Sequence, residues 1–182
     1  MPLIMPPVLR KSALAIHLTV SVGWIGAVIG YLALDVTVTT GSDPTVVRAA
    51  WIAMGLVASW AIVPLAFGSL ITGLLMALGT KWGLFRHWWV LISFLLTIGA
   101  IGVLLSEASV IAGSAAMAAD PATSTKDLLA IPSTLPHSFG GLAVLLAVQV
   151  LNIYKPSGLT PYGWRKQKEE MARHGQRQAG AS

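Results

Sequence analysis

Three histidines fall within or at the ends of long apolar runs: His17, His87 and His137. Ionisable side chains are expensive in such surroundings, so each needs a partner or a role. An imidazole nitrogen supplies the axial bond of haem iron and also binds divalent metals. Asp35 and Glu107 close two of the runs, and this carboxylate pair with the imidazole of His137 is a donor set for Zn or Cu. Gln149 and Asn152 lie in the last turns of the final run, and Ser21 follows His17 by four residues on one helical stripe. There is no Gly-rich phosphate loop, H-E-x-x-H zinc motif, G-x-S-x-G nucleophile elbow or nucleic-acid module, so no catalytic residue is assigned. The absence of cysteine excludes disulfides, thiolate metal sites and covalent c-type haem. The six methionines are scattered, without the clustered thioethers that a copper(I) pathway would favour.

The elements that must position these groups follow from composition. Of 182 residues, 55% are hydrophobic and only 10% charged, whereas a soluble domain carries roughly 25% charged residues. The spacing predicts an all-α integral membrane four-helix bundle with spans over residues 13–35, 49–78, 87–106 with an extension to 119, and 137–154. The first covers about 33 Å, enough for a bilayer core of about 30 Å, and the last is the shortest. Pro64 interrupts the second run and predicts a kink there, and Asp120-Pro121 stops the third. Arg10 and Lys11 before the first run mimic a signal peptide, but the run exceeds a usual h-region and reads as an uncleaved span.

Basic residues set the orientation. Arg10 and Lys11, Lys81 and Arg86, and Lys155 with Arg165, Lys166, Lys168, Arg173 and Arg177 fall on one side, and only Arg48 and Lys126 on the other. By the positive-inside rule residues 1–12 and a basic tail over 156–182 are cytoplasmic. The net charge of +5 therefore reads as membrane orientation, with the tail beside anionic lipid, and not as nucleic-acid binding. Trp51 on one side and Trp82, Trp88 and Trp89 on the other read as interfacial belts. Small residues four apart, Gly26 and Gly30, Ser69 and Gly73, Gly102 and Ser106, and Ala143 and Ala147, offer helix-packing faces. Bundle packing accounts for them, and a homo-oligomer would use the same faces.

This orientation sorts the polar groups by depth. His17, His87, Gln149 and Asn152 lie near the cytoplasmic face, and Asp35, Glu107 and His137 near the outer face. A bis-histidine haem b needs two ligands at one depth on facing helices with cations near its propionates. His17 with His87 meets that condition, with Arg10, Lys81 and Arg86 nearby; His17 with His137 does not. The plainer readings stand beside these: His87 as an interfacial residue between Arg86 and Trp88, His17 hydrogen-bonded to Gln149 or a backbone carbonyl, and the outer trio as ordinary solvated helix ends.

The stretches HLTVSVGWIGAV (His17 to Val28), GLLMALGTKWGLFRHWWV (Gly73 to Val90) and PHSFGGLAVLLAVQVLNIYKPSGLTPYGWRKQ (Pro136 to Gln167) resemble an uncharacterised bacterial family of four-helix integral membrane proteins. That family is loosely related to the copper-resistance-protein-D-like superfamily, which has copper-linked and haem-linked members. The resemblance implies the four-helix architecture and a first-helix histidine at His17. The expected function is a small membrane protein binding haem b or a metal through its histidines. The alternative is a non-catalytic scaffold or accessory subunit with a membrane-complex partner. A transporter would need oligomerisation, since no inverted repeat is visible in four spans.

Overall fold

A computed structural model of the chain describes residues 5–80 and 82–179. Lys81, used above for orientation, lies outside them, as does the side chain of Arg177. Six helices make an all-α fold: α1 (Pro7–Thr40), α2 (Pro44–Gly79), α3 (Trp88–Ala119), α4 (Thr125–Leu129), α5 (Leu135–Tyr154) and α6 (Pro161–Ala179). Four of them, α1, α2, α3 and α5, are long and apolar enough to cross a membrane. Each of these packs on its two neighbours in the cyclic order α1, α2, α3, α5, as an up-and-down bundle does. Outward from it point Val22, Leu56, Ile71, Leu95 and Val150, all more than half exposed.

Helix ends follow local chemistry. α1 runs past the expected end at residue 35 because Thr37, Thr39 and Thr40 donate their hydroxyls to the carbonyls of Ala33, Asp35 and Val36. Threonines that read as a polar loop thus satisfy themselves within the helix. α2 starts at Pro44 behind Asp43, whose carboxylate accepts the Thr45 N–H at 2.8 Å. At Pro64 the missing N–H and the ring's demand for space meet a π-helical turn over Ala58–Ile62, in which the Val63 N–H reaches back five residues to the Ala58 carbonyl. The interruption expected at this proline is therefore a change of hydrogen-bond register just ahead of it. α5 ends with Lys155 in the left-handed region (φ 45°) before Pro156.

Arg48, read above only as a basic residue of the outer side, caps a helix. Its guanidinium donates to the carbonyls of Ala118, Asp120 and Thr123, the end of α3 where carbonyls lack intrahelical partners. The 122–136 connection also contains α4, whose Leu128 plugs the bundle end at 1% exposure. The tail folds as well. Thr160 caps α6 through its hydroxyl, which accepts the Gly163 N–H at 3.0 Å. The same segment clasps the α2–α3 turn: Trp88 N–H donates to Gly158, Thr160 N–H to Arg86, and Arg86 forms a paired contact with Glu170 at 2.8 and 3.0 Å.

The core departs from the interfacial reading of two tryptophans. Trp51 is 1% exposed and packs with Trp24, Tyr31 and Met54, while Trp89 joins a second cluster with Ala77, Leu84 and Val90. Trp88 is half exposed, as a belt residue would be. Gly26, Gly30 and Gly102 are not at helix contacts, since a Cβ at any of them would meet nothing within 4 Å. Of the small-residue pairs, Ser69 and Gly73 face another helix. The tight crossing is at Gly55, where a Cβ would stand 2.6 Å from the Ala115 Cβ. Gly55→Val should push α2 from α3 and cost about 1–3 kcal/mol, lowering the melting temperature in detergent, whereas Gly30→Val should leave it nearly unchanged. Equal shifts in scanning fluorimetry would count against this packing.

Candidate functional site

A cavity of about 430 Å³ lies among α1, α2, α3 and α5 at the end that carries the α2–α3 turn, and His17 stands in its wall. The sequence offered Gln149 or a backbone carbonyl as the partner of His17; the ring bonds the Ser69 backbone, and its Nδ1 also lies 2.9 Å from the Thr72 hydroxyl. Thr72 Oγ1 sits 2.6 Å from the Gly68 carbonyl, which takes its only hydrogen. A hydroxyl so engaged is an acceptor for His17 Nδ1–H. Gly73 makes room for the ring, whose Cε1 would lie 3.2 Å from a Cβ there.

Other polar groups share this wall. Ser21 and Ser69 hydrogen-bond across α1 and α2 at 2.8 Å. Ser93 on α3 is 6% exposed, and its hydroxyl has no partner. Gln149 and Asn152 on α5 also line the cavity, and neither amide makes a side-chain hydrogen bond among the described residues. Lys155, Thr80 and Trp82 stand at the end nearest the turn. Polar groups without partners between apolar helices need a ligand or water to satisfy them.

His87 is not in this wall. Its Nδ1 donates to the Trp82 carbonyl at 2.6 Å, its ring meets Trp82 edge-on at 5.2 Å, and its backbone pairs with Leu159. Trp82 and Trp89, on which it packs, are the wall residues. The two histidines at matching depth are therefore not brought to one cavity.

At the other end of the bundle the outer trio separates. Asp35 is fully buried, which overturns its reading as a solvated helix end. Its Oδ2 accepts from Thr134 at 2.8 Å and Ser138 at 2.7 Å, and Oδ1 from Ser133 at 3.4 Å. With the Thr134 hydrogen given to Asp35, Tyr31 Oη is the donor in its 3.0 Å contact with Thr134. Glu107 and His137 stand 3.6 Å apart and are partly exposed. No group of three or more His, Cys, Asp or Glu able to hold a metal gathers among the described residues. The carboxylate of Asp35 is taken up by hydroxyls of the α5 entrance and not by the Glu107–His137 pair. A second cavity, of about 480 Å³, lies beside that pair and shares Trp24 and Leu145 with the first.

No protein family, curated protein or solved structure matches the chain. What the site can do is therefore argued from its own geometry. Sequence reasoning picked out His17, Ser21, Gln149 and Asn152 and missed Thr72, Ser93 and Trp24. Ser69 through Gly73 carried a signal, since three small or hydroxylated residues occur in five positions of an apolar run. Ser93 and Thr97 carried none beyond their spacing of four.

Proposed function

We propose that this chain is a small integral protein of a bacterial inner membrane, with both termini cytoplasmic, that holds haem b in the His17 cavity. Four long apolar helices with outward-facing aliphatic side chains support the membrane setting. The basic residues at the ends of α1, α2 and α5 and along α6 support the orientation. Ser12→Cys, Thr80→Cys and Ser157→Cys should be shielded from an impermeant thiol reagent in intact cells, while Ser42→Cys and Ser124→Cys should react. Labelling of Ser157→Cys from outside would sink the arrangement.

The observation that carries the cofactor reading is the contact of His17 Nδ1 with the Thr72 hydroxyl in the wall of the first cavity. A ligating histidine characteristically donates its second ring nitrogen to a neighbouring group, which orients the ring and keeps the other lone pair for the metal. Thr72 plays that part here. Among the lining residues, His17 would hold the iron through its imidazole, and Lys155 at the cavity end is a cation suited to a propionate. His87, outside the wall, supplies no second bond. Bound haem would supply one-electron or small-ligand chemistry of the iron. Ser93, Gln149 and Asn152 line the same space and would satisfy their hydrogen bonds on the occupant or on water held beside it.

Detergent-purified protein expressed with ample haem should show a Soret band with b-type reduced features. Protein that stays colourless after reconstitution, with no Cu or Zn by metal analysis, would overturn the proposal and favour a membrane scaffold.

A further inference from the structure

The second cavity has a polar end whose hydrogens can be counted. Thr134 and Ser138 spend theirs on Asp35, and Tyr31 spends its own on Thr134. What these groups turn toward a ligand is oxygen lone pairs, with the buried Asp35 carboxylate behind them. The Glu107 carboxylate stands in the cavity wall itself, and His137, 3.6 Å away and half exposed, is the one imidazole there. Of the other cations of this end, Arg48 is held by three backbone carbonyls of the α3 terminus and its following turn, and Lys126 on α4 is not among the lining residues. One carboxylate, Glu107, thus stands beside one imidazole at a wall of hydrogen-bond acceptors.

The rest of the cavity is apolar and open on one side. Gly99 on α3 and Gly140 on α5 line it, and a Cβ at either would meet nothing within 4 Å. The two helices therefore leave a slot between them, which a molecule dissolved in the surrounding hydrocarbon can enter sideways. Trp24, 4% exposed, closes the inner end, and Ala58 and Ile62 of the π-helical turn complete it. π-Helical turns recur at functional sites because they turn side chains out of the α-helical register. A volume of about 480 Å³ suits a compact organic molecule.

We infer that this cavity is a binding site for a lipophilic organic cation, with its charge toward Glu107 and its apolar body in the slot between α3 and α5. An anion of the same shape meets the same walls and the wrong charge. A positive ion without N–H or O–H groups needs no acceptor geometry, so charge and shape alone decide its binding. The site shares Trp24 and Leu145 with the His17 cavity and otherwise has its own lining.

The test uses two ions of nearly equal size and opposite sign. Labelled tetraphenylphosphonium should bind the full-length purified protein saturably, and tetraphenylborate should fail to compete at equal concentration. Glu107→Gln, which keeps the shape and removes the charge, should weaken tetraphenylphosphonium by about tenfold, the effect of one nearby charge partly screened by solvent. Gly140→Leu places a side chain in open space, so it should fold and elute as wild type yet lose binding. His17→Ala should bind as wild type. Absence of saturable binding, equal competition by the borate, or full affinity in Glu107→Gln would each overturn the proposal. Because Glu107→Gln is isosteric at a partly exposed position, a binding loss with wild-type elution and melting is a site effect and not misfolding.

Discussion

His17→Ala should abolish the Soret band expected of haem-reconstituted protein, while His87→Ala and His137→Ala should retain it. Removing the imidazole removes the one histidine among the residues lining the first cavity. His87 is tied to the Trp82 carbonyl outside that wall, and His137 belongs to the other end of the bundle, so their spectra should match the wild type. Thr72→Val separates ligation from packing. It preserves the shape beside the ring but removes the acceptor of Nδ1–H, and loss of such an orienting partner lowers metal affinity by about 10–100-fold. Haem transfer to apomyoglobin should be correspondingly faster in Thr72→Val. Loss of the band with His137→Ala and not with His17→Ala would move the site to the opposite end.

Asp35→Ala should be the most damaging substitution for stability. The carboxylate gathers the hydroxyls of Ser133, Thr134 and Ser138 and so binds the entrance of α5 to α1. A hydrogen bond to a charged group is worth about 1.5–3 kcal/mol, and buried donors left without a partner add to the loss. Ser138 has the Leu135 carbonyl at 3.1 Å as a substitute acceptor, which limits the damage to about 3 kcal/mol. At roughly 2–4 °C per kcal/mol for a chain of this size, the melting temperature should fall by about 6–12 °C. Asp35→Asn keeps one acceptor oxygen and should lie between. Limited proteolysis should open first in the 130–138 segment, and an unchanged melting temperature in Asp35→Ala would show that the hydroxyl cluster holds nothing together.

The four long helices were legible because apolar runs of that length have few alternatives, and because Pro44, Pro121 and Pro136 mark their boundaries. The faces of those helices were not legible. A helix bathed in hydrocarbon is apolar all round, so the periodicity that tells inside from outside in a soluble bundle is missing. Gly26 and Gly30 therefore looked like packing residues and turn outward, while Trp51 looked interfacial and is buried. His17 could be found by its depth, but its partner Thr72 is one hydroxyl among many in apolar runs. The tail helix carried a readable signal, a capping Thr160 followed by Pro161, which the abundance of basic residues obscured. Arg48 illustrates the limit of charge counting, since its sequence neighbourhood does not reveal that three carbonyls from beyond residue 117 will meet it.

The hydroxyl cage around Asp35 also bears on biogenesis. Every donor in that cage comes from residues 133–138, about a hundred positions after the carboxylate they serve. A nascent chain emerges from the ribosome N-terminus first, so α1 is made long before these donors exist. Until α5 is in place, Asp35 has no cage. Sealing of this end of the bundle therefore waits for residues 133–138, and a chain truncated before Ser133 would leave the carboxylate without its partners.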